Sequence, residues 1–165
     1  MTDLPLLQSL SAIVLHESAH IFTARVLKVE YSSPTISPVG IRLAVISKEK
    51  SHIKELAVYL SGSIFGIIVG LITDCLCSGR FDYFVFASFA FSILNLLPIK
   101  GFDGGEVLSI VVNRLFLPDR ANSVIKVLSA ITVLALWFMS VSIHMRGSDN
   151  IPMLVFTTYL IYSEL

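Results

Sequence analysis

The run from Leu56 to Cys77 is long enough to cross a bilayer and contains one charged residue, Asp74. A spanning helix takes about 20 apolar residues. Tyr83 to Ile99 reads as a second such run, interrupted near its end by Asn95 and Pro98, and Ile125 to Met145 as another. Pro152 to Tyr162 is apolar but short for a full crossing. Only 15% of the 165 residues are charged, and the mean hydropathy is +0.80. A water-soluble domain carries about 25% charged residues, so this chain lacks the surface it would need in water. The expected class is an all-α polytopic membrane protein, multi-pass in the cell membrane, with the lipid bilayer as its surroundings. The net charge is zero and no basic block stands out, so nucleic acid is not an expected partner. No secretory signal of the usual form is expected, because Asp3 is the only charge before His16.

The ends and connections have their own texture. Leu4 to Val29 reads as one long helix, with Pro5 tolerated in its first turn. Between Glu30 and Ser51, Ser, Pro, Thr and Gly punctuate β-branched alternations, Pro34 to Pro38 and Ile41 to Ile46. With Pro38 to Gly40 as its turn, this is a small β-hairpin insert. Val107 to Leu117 is a shorter amphipathic piece. Lys and Arg alternate between rich and poor loops, which places Lys48 and Lys50, and also Arg114 and Arg120, on the cytoplasmic side. Gly62, Gly66 and Gly70 recur every fourth residue, with Ser63 beside the first. Such a stripe lets another helix approach closely, and could press this span against the helix carrying His16. Cys75 and Cys77 read as packing residues.

Inside the first apolar helix stands His16-Glu17-Ser18-Ala19-His20. Histidines four apart share one helix face, with Cβ atoms about 5–6 Å apart, so both imidazoles can reach one metal ion. Glu17 follows the first and can take a proton from water beside the metal. The competing reading is a pair of histidines hydrogen-bonded to neighbours around a stray glutamate. In a membrane span an unpaired ionisable residue costs at least about 2.5–3.5 kcal/mol, a cost that metal binding offsets and plain packing does not.

Two histidines do not complete a catalytic zinc site, which usually has three protein ligands. His20 is followed by Ile21 to Val26, which holds neither the glycine nor the third histidine of a metzincin. The remaining candidate is Asp103, in the segment Asn95 to Glu106. There Pro98 stops a span, and Gly101, Gly104 and Gly105 permit sharp turns. Asp-Gly is also ordinary turn chemistry, so an interfacial turn is the alternative for this segment alone.

The combination of H-E-x-x-H in the first core span, a hairpin-like insert and a later N-x-x-P-x-x-x-x-D-G-G resembles the site-2 protease family of intramembrane zinc metalloproteases. The organisation from Leu4 to about Leu117 is similar to that family's three-helix catalytic core. The resemblance implies an intramembrane metalloprotease core over 1–117 and additional C-terminal membrane helices over 118–165. It implies Zn2+ held by His16, His20 and Asp103, Glu17 as the catalytic base, and Asn95 as the family's polar residue, a candidate for substrate binding. The implied partner is a membrane-embedded or membrane-tethered protein substrate, with room for a regulatory membrane protein. Compact members with a span after the core are similar to the branch that processes membrane-tethered sporulation factors.

Three positions depart from the family pattern. Gly101 stands where a second proline is usual, Glu106 where Arg, His or Gln is common, and Ser61-Gly62-Ser63 where Ala-Gly-Pro often opens the span. No preceding span or appended PDZ or CBS domain is expected, so the chain reads as a near-minimal catalytic unit. His52, His144, Glu55, Asp74 and Glu164 lie outside the constellation. Residues Ile36 to Ser47 offer an edge to which an unwound substrate could add as a strand; the same hairpin could equally plug space between spans. A different class stays open too, a polytopic metal transporter or a non-catalytic metal-binding membrane protein, since intramembrane His and Asp also mark ion routes. Glu17 discriminates, because hydrolysis needs a base and transport does not.

Overall fold

The computed structural model of this chain describes residues 3–30, 35–37, 40–42, 51–77, 81–147 and 151–164. Six helices lie among them: α1 (Asp3–Val26), α2 (His52–Cys77), α3 (Asp82–Asn95), α4 (Asp103–Leu115), α5 (Pro118–Met145) and α6 (Ile151–Glu164). Between α1 and α2, β1 (Thr35–Ser37) pairs antiparallel with β2 (Gly40–Arg42), with Thr35 opposite Arg42 and Ser37 opposite Gly40. The second arm expected to reach Ile46 lies, beyond Arg42, outside the described residues.

α1 ends earlier than the apolar pattern suggests, for a reason visible in its backbone. Lys28 adopts φ 54°, its N–H bonds to the Arg25 carbonyl, and the Val29 N–H reaches back to the Ala24 carbonyl at 2.8 Å. This is a Schellman ending, in which a left-handed residue closes the last turn. Glycine is the usual occupant, and here a lysine takes the conformation.

The inside of the bundle is small and the outside is large. Ala12, Ala19 and Ala24 of α1, Gly62, Ser63 and Gly66 of α2, and Ser88 and Ser92 of α3 are buried. Leu6, Phe22, Ile68, Leu76, Phe86 and Phe138 point outward. Packing through small residues is how helices associate where their surroundings are as apolar as they are. α2 and α5 are each long and apolar enough to cross a membrane, and only 28% and 17% of their most apolar stretches are buried inside the protein.

α1, α2 and α3 pack against one another, α4 lies against α2 and α5, and α6 lies against α5. The glycine stripe divides its work. Gly62 faces the histidines of α1, whereas Gly66 meets the Ser92 hydroxyl and Gly70 meets Ser88 and Phe89 of α3. Gln8 of α1 ties the first turn of α3 by accepting the Phe84 N–H at 3.3 Å.

Two boundaries differ from the sequence reading. α3 stops at Asn95, not at Ile99, which leaves 14 residues, or about 21 Å of helix; Pro98 lacks the N–H needed to continue. α4 begins at Asp103, four residues before the amphipathic pattern at Val107. Gly104 and Gly105 are therefore helical, not a loop. Their hydrogens are required because a Cβ on Gly104 would collide with the Leu96 carbonyl, and one on Gly105 with the Ile99 carbonyl. The sharp turn belongs to Gly101 alone, at φ 91°. A proline, whose ring fixes φ near about −65°, cannot take that conformation.

Candidate metal centre

Four elements meet at one point: the middle of α1, the first half of α2, the end of α3 and the start of α4. His16 and His20 lie on one face of α1, and their Nε2 atoms are 3.1 Å apart. The Asp103 Oδ2, brought by the first turn of α4, is 3.1 Å from each. His16 is 2% exposed and His20 5%, while the Asp103 side chain is 18% exposed. The three atoms form a nearly equilateral triangle, and Asp103 is its most exposed member.

Hydrogen bonding indicates which nitrogens face that point. His20 Nδ1–H donates to the Val58 carbonyl of α2 at 2.7 Å, so its Nε2 carries the lone pair. The Asn95 amide nitrogen stands 3.2 Å from His16 Nε2, whose single lone pair can accept that N–H or bind a metal, but not both. Two imidazole nitrogens and a carboxylate oxygen thus converge at 3.1 Å from one another, closer than three unshared lone pairs tolerate. Shared positive charge resolves this, and a divalent cation supplies it to all three at once. At bond lengths of about 2.0–2.1 Å, the edges of a tetrahedral zinc site are about 3.3–3.4 Å, within a few tenths of an ångström of those observed. The donor set therefore fits a metal ion, and the group can hold one.

The surroundings reinforce the fit. A Cβ on Gly62 would meet His20 Nε2 and lie 2.7 Å from His16 Nε2, so the missing side chain is what keeps the space before the rings clear. Phe91 stands edge-on to His16, with ring centroids 4.9 Å apart. Ser61 donates to the same Val58 carbonyl at 2.7 Å, fixing the acceptor that orients His20. Glu17, adjacent to His16 and half-buried, lies within electrostatic reach of His20 and Asp103.

All of the residues singled out from the sequence gather here, Asn95 included. It is buried at the last position of α3 and turned towards His16. Two contributors escaped that reading. The Val58 carbonyl is a backbone group without a side-chain signature. Gly62 was visible as part of a packing stripe, but its role in clearing the centre was not. His52 instead pairs with Glu55 at 3.8 Å on its own helix, and His144 is exposed in the last turn of α5.

No family profile matches the sequence, and no curated relative does. Among solved structures, the chain is similar to the site-2 protease from Methanocaldococcus jannaschii. The TM-score is 0.73 at 16% identity, over 96% of this chain and 74% of that one. At this identity the likeness lies in the path of the backbone, and this chain has the fold of a site-2 protease.

Proposed function

We propose that this protein is an intramembrane zinc metalloprotease of the site-2 protease kind, hydrolysing peptide bonds in membrane-embedded or membrane-tethered proteins. The observation that carries this reading is the triangle of His16, His20 and Asp103 beside Glu17, in a fold shared with a site-2 protease. A multi-pass position in the cell membrane is supported by α2 and α5 and by the large apolar side chains that face outward.

His16, His20 and Asp103 would hold the zinc, which when bound supplies Lewis acidity towards the scissile carbonyl and the attacking water. Glu17 takes a proton from that water and returns it to the leaving amine. Val58 and Ser61 keep His20 in the tautomer that presents Nε2. Asn95, with its amide beside His16, is placed to hold a peptide backbone. A helical substrate has its carbonyls committed to internal hydrogen bonds, so cleavage requires local unwinding. The strand-addition role of the hairpin fits that need, since an edge strand replaces the lost bonds.

The test is co-expression with tagged membrane proteins, beginning with membrane-tethered transcription-factor precursors of the sporulation type. Glu17→Gln is expected to keep its zinc and to lose cleavage by about 10²–10⁴-fold, the usual contribution of a positioned base. Undiminished cleavage by that variant rules out the hydrolytic mechanism. Orientation has its own check. A cysteine at Ser47 is expected to stay shielded from reagents added outside intact cells, and ready labelling there reverses the topology.

A further inference from the structure

Asp103 is aimed by the segment before it, and that segment is anchored on helices beyond the three-helix core. Ile99 is 1% exposed and Phe102 5%. Both are buried in one apolar cluster with Val133 of α5 and Leu160 of α6, ringed by Leu97, Leu136, Phe156 and Ile161. Between them, the Lys100 N–H donates to Ser129 Oγ of α5 at 3.0 Å, and Ser129 is wholly buried. The Phe102 carbonyl then accepts the Glu106 N–H at 3.1 Å, which starts α4 with Asp103 in its first turn. Gly104 and Gly105 press the other side of this turn onto the Leu96 and Ile99 carbonyls. The backbone leading to Asp103 is thus gripped at three residues by α5 and α6.

We infer that α5 and α6 form part of the metal-holding apparatus, with Ser129 as a positioning residue that fixes the turn at residues 99–102 and so directs the Asp103 carboxylate towards His16 and His20. This rests on the metalloprotease reading above. It makes residues 118–165 a requirement of the site, so the unit ending at 117 lacks the wall against which its third ligand is set. A functional group must be held to within about 0.5 Å of its productive position by its supporting shell, and a turn containing a flexible glycine at Gly101 cannot do this unaided. Removing the Ser129 hydroxyl leaves the Lys100 N–H without its partner and frees the turn to shift.

The experiment uses the full chain in detergent, loaded with zinc or with cobalt(II). Zinc dissociation is followed by chelator competition, and the ligand geometry by the visible absorption of cobalt. Ser129→Ala is expected to release zinc about tenfold faster, the low end for loss of an outer-shell contact, and to shift the cobalt bands. Ser140→Ala is the control. It removes an equally buried hydroxyl from the same helix, one whose oxygen has no hydrogen-bond partner among the described residues, and is expected to behave as wild type. If Ser129→Ala does not insert, Val133→Ala, which trims the wall against Ile99 and Phe102, is measured in its place with the same expectation. A wild-type zinc release rate and cobalt spectrum in the variant measured overturn the inference, and so do equal changes in Ser140→Ala. A wild-type chain that binds neither metal refutes the metalloprotease reading itself, an outcome distinct from either of these.

Discussion

Gly62→Ala is expected to eliminate zinc binding and cleavage while leaving the helices assembled. The added carbon would collide with His20 Nε2 and stand 2.6 Å from His20 Cε1 and 2.7 Å from His16 Nε2, distances that real Cβ atoms do not reach. Neither ring can easily retreat. His20 is tied through Nδ1 to the Val58 carbonyl at 2.7 Å, and His16 is buried against Phe91. Relief therefore requires α2 to move away from α1 or a ring to rotate, and either dismantles the triangle. The helix itself should not suffer, since alanine is favoured over glycine in a helix interior by about 0.8–1.0 kcal/mol. A fall in zinc affinity of at least about a hundredfold is expected, comparable to the most severe outer-shell substitutions. Gly70→Ala separates this effect from general packing. There the new carbon makes ordinary contacts, 3.4 Å to Ser88 and 3.5 Å to Phe89, and zinc content should match wild type. Metal analysis of the two purified variants decides the matter, and full occupancy in Gly62→Ala would mean that the rings do not face the metal as described.

What the sequence made legible follows from how directly each feature is written in side chains. The four-residue spacing of His16 and His20 becomes a shared face on any helix, so half of the centre follows from local geometry. Asp103 comes from a distant helix, and only the resemblance between motif pairs connected it to the histidines. The start of α4 at Asp103 is hidden in the sequence for a physical reason. Asp103-Gly104-Gly105 has the local chemistry of a turn, but the close approach of the Leu96 and Ile99 carbonyls makes small residues necessary inside a helix, and tertiary packing prevails over local preference. The end of α1 at Lys28 was hidden similarly, because a lysine gives no sign that it will take the left-handed conformation usually left to glycine. The support for His20 comes from a backbone carbonyl, and the space for a metal comes from a side chain that is not there. Neither has a residue-type signature. Ser129 looked like one more small residue in an apolar run, and only the burial of Ile99 and Phe102 against α5 and α6 gives its hydroxyl a purpose.

Asp103→Ala is expected to lose metal as completely as any single change in this protein. The carboxylate is the one anionic donor of the three, and its Oδ2 is equidistant from the two imidazole nitrogens at 3.1 Å, so no other described group is shown in its place. Zinc sites with four protein ligands bind with about 10–16 kcal/mol at neutral pH. Loss of one ligand in four should then remove about 2.5–4 kcal/mol, which at about 1.4 kcal/mol per decade weakens binding by about 60- to 700-fold. The cost to the fold is much smaller. An acidic residue in the first turn of a helix is worth about 0.3–1 kcal/mol through the helix dipole, and the turn before it is held independently by Ile99, Phe102 and the bond from Lys100 to Ser129. The variant should therefore insert and assemble normally, contain little zinc, and cleave nothing. Glu17→Gln provides the contrast, because it should retain full zinc and still fail to cleave. Measuring metal content and product together in both variants distinguishes a ligand from a base. If Asp103→Ala keeps one zinc per chain and normal turnover, the third ligand lies elsewhere; if Glu17→Gln loses its zinc along with activity, Glu17 is part of the metal shell and another group moves the proton.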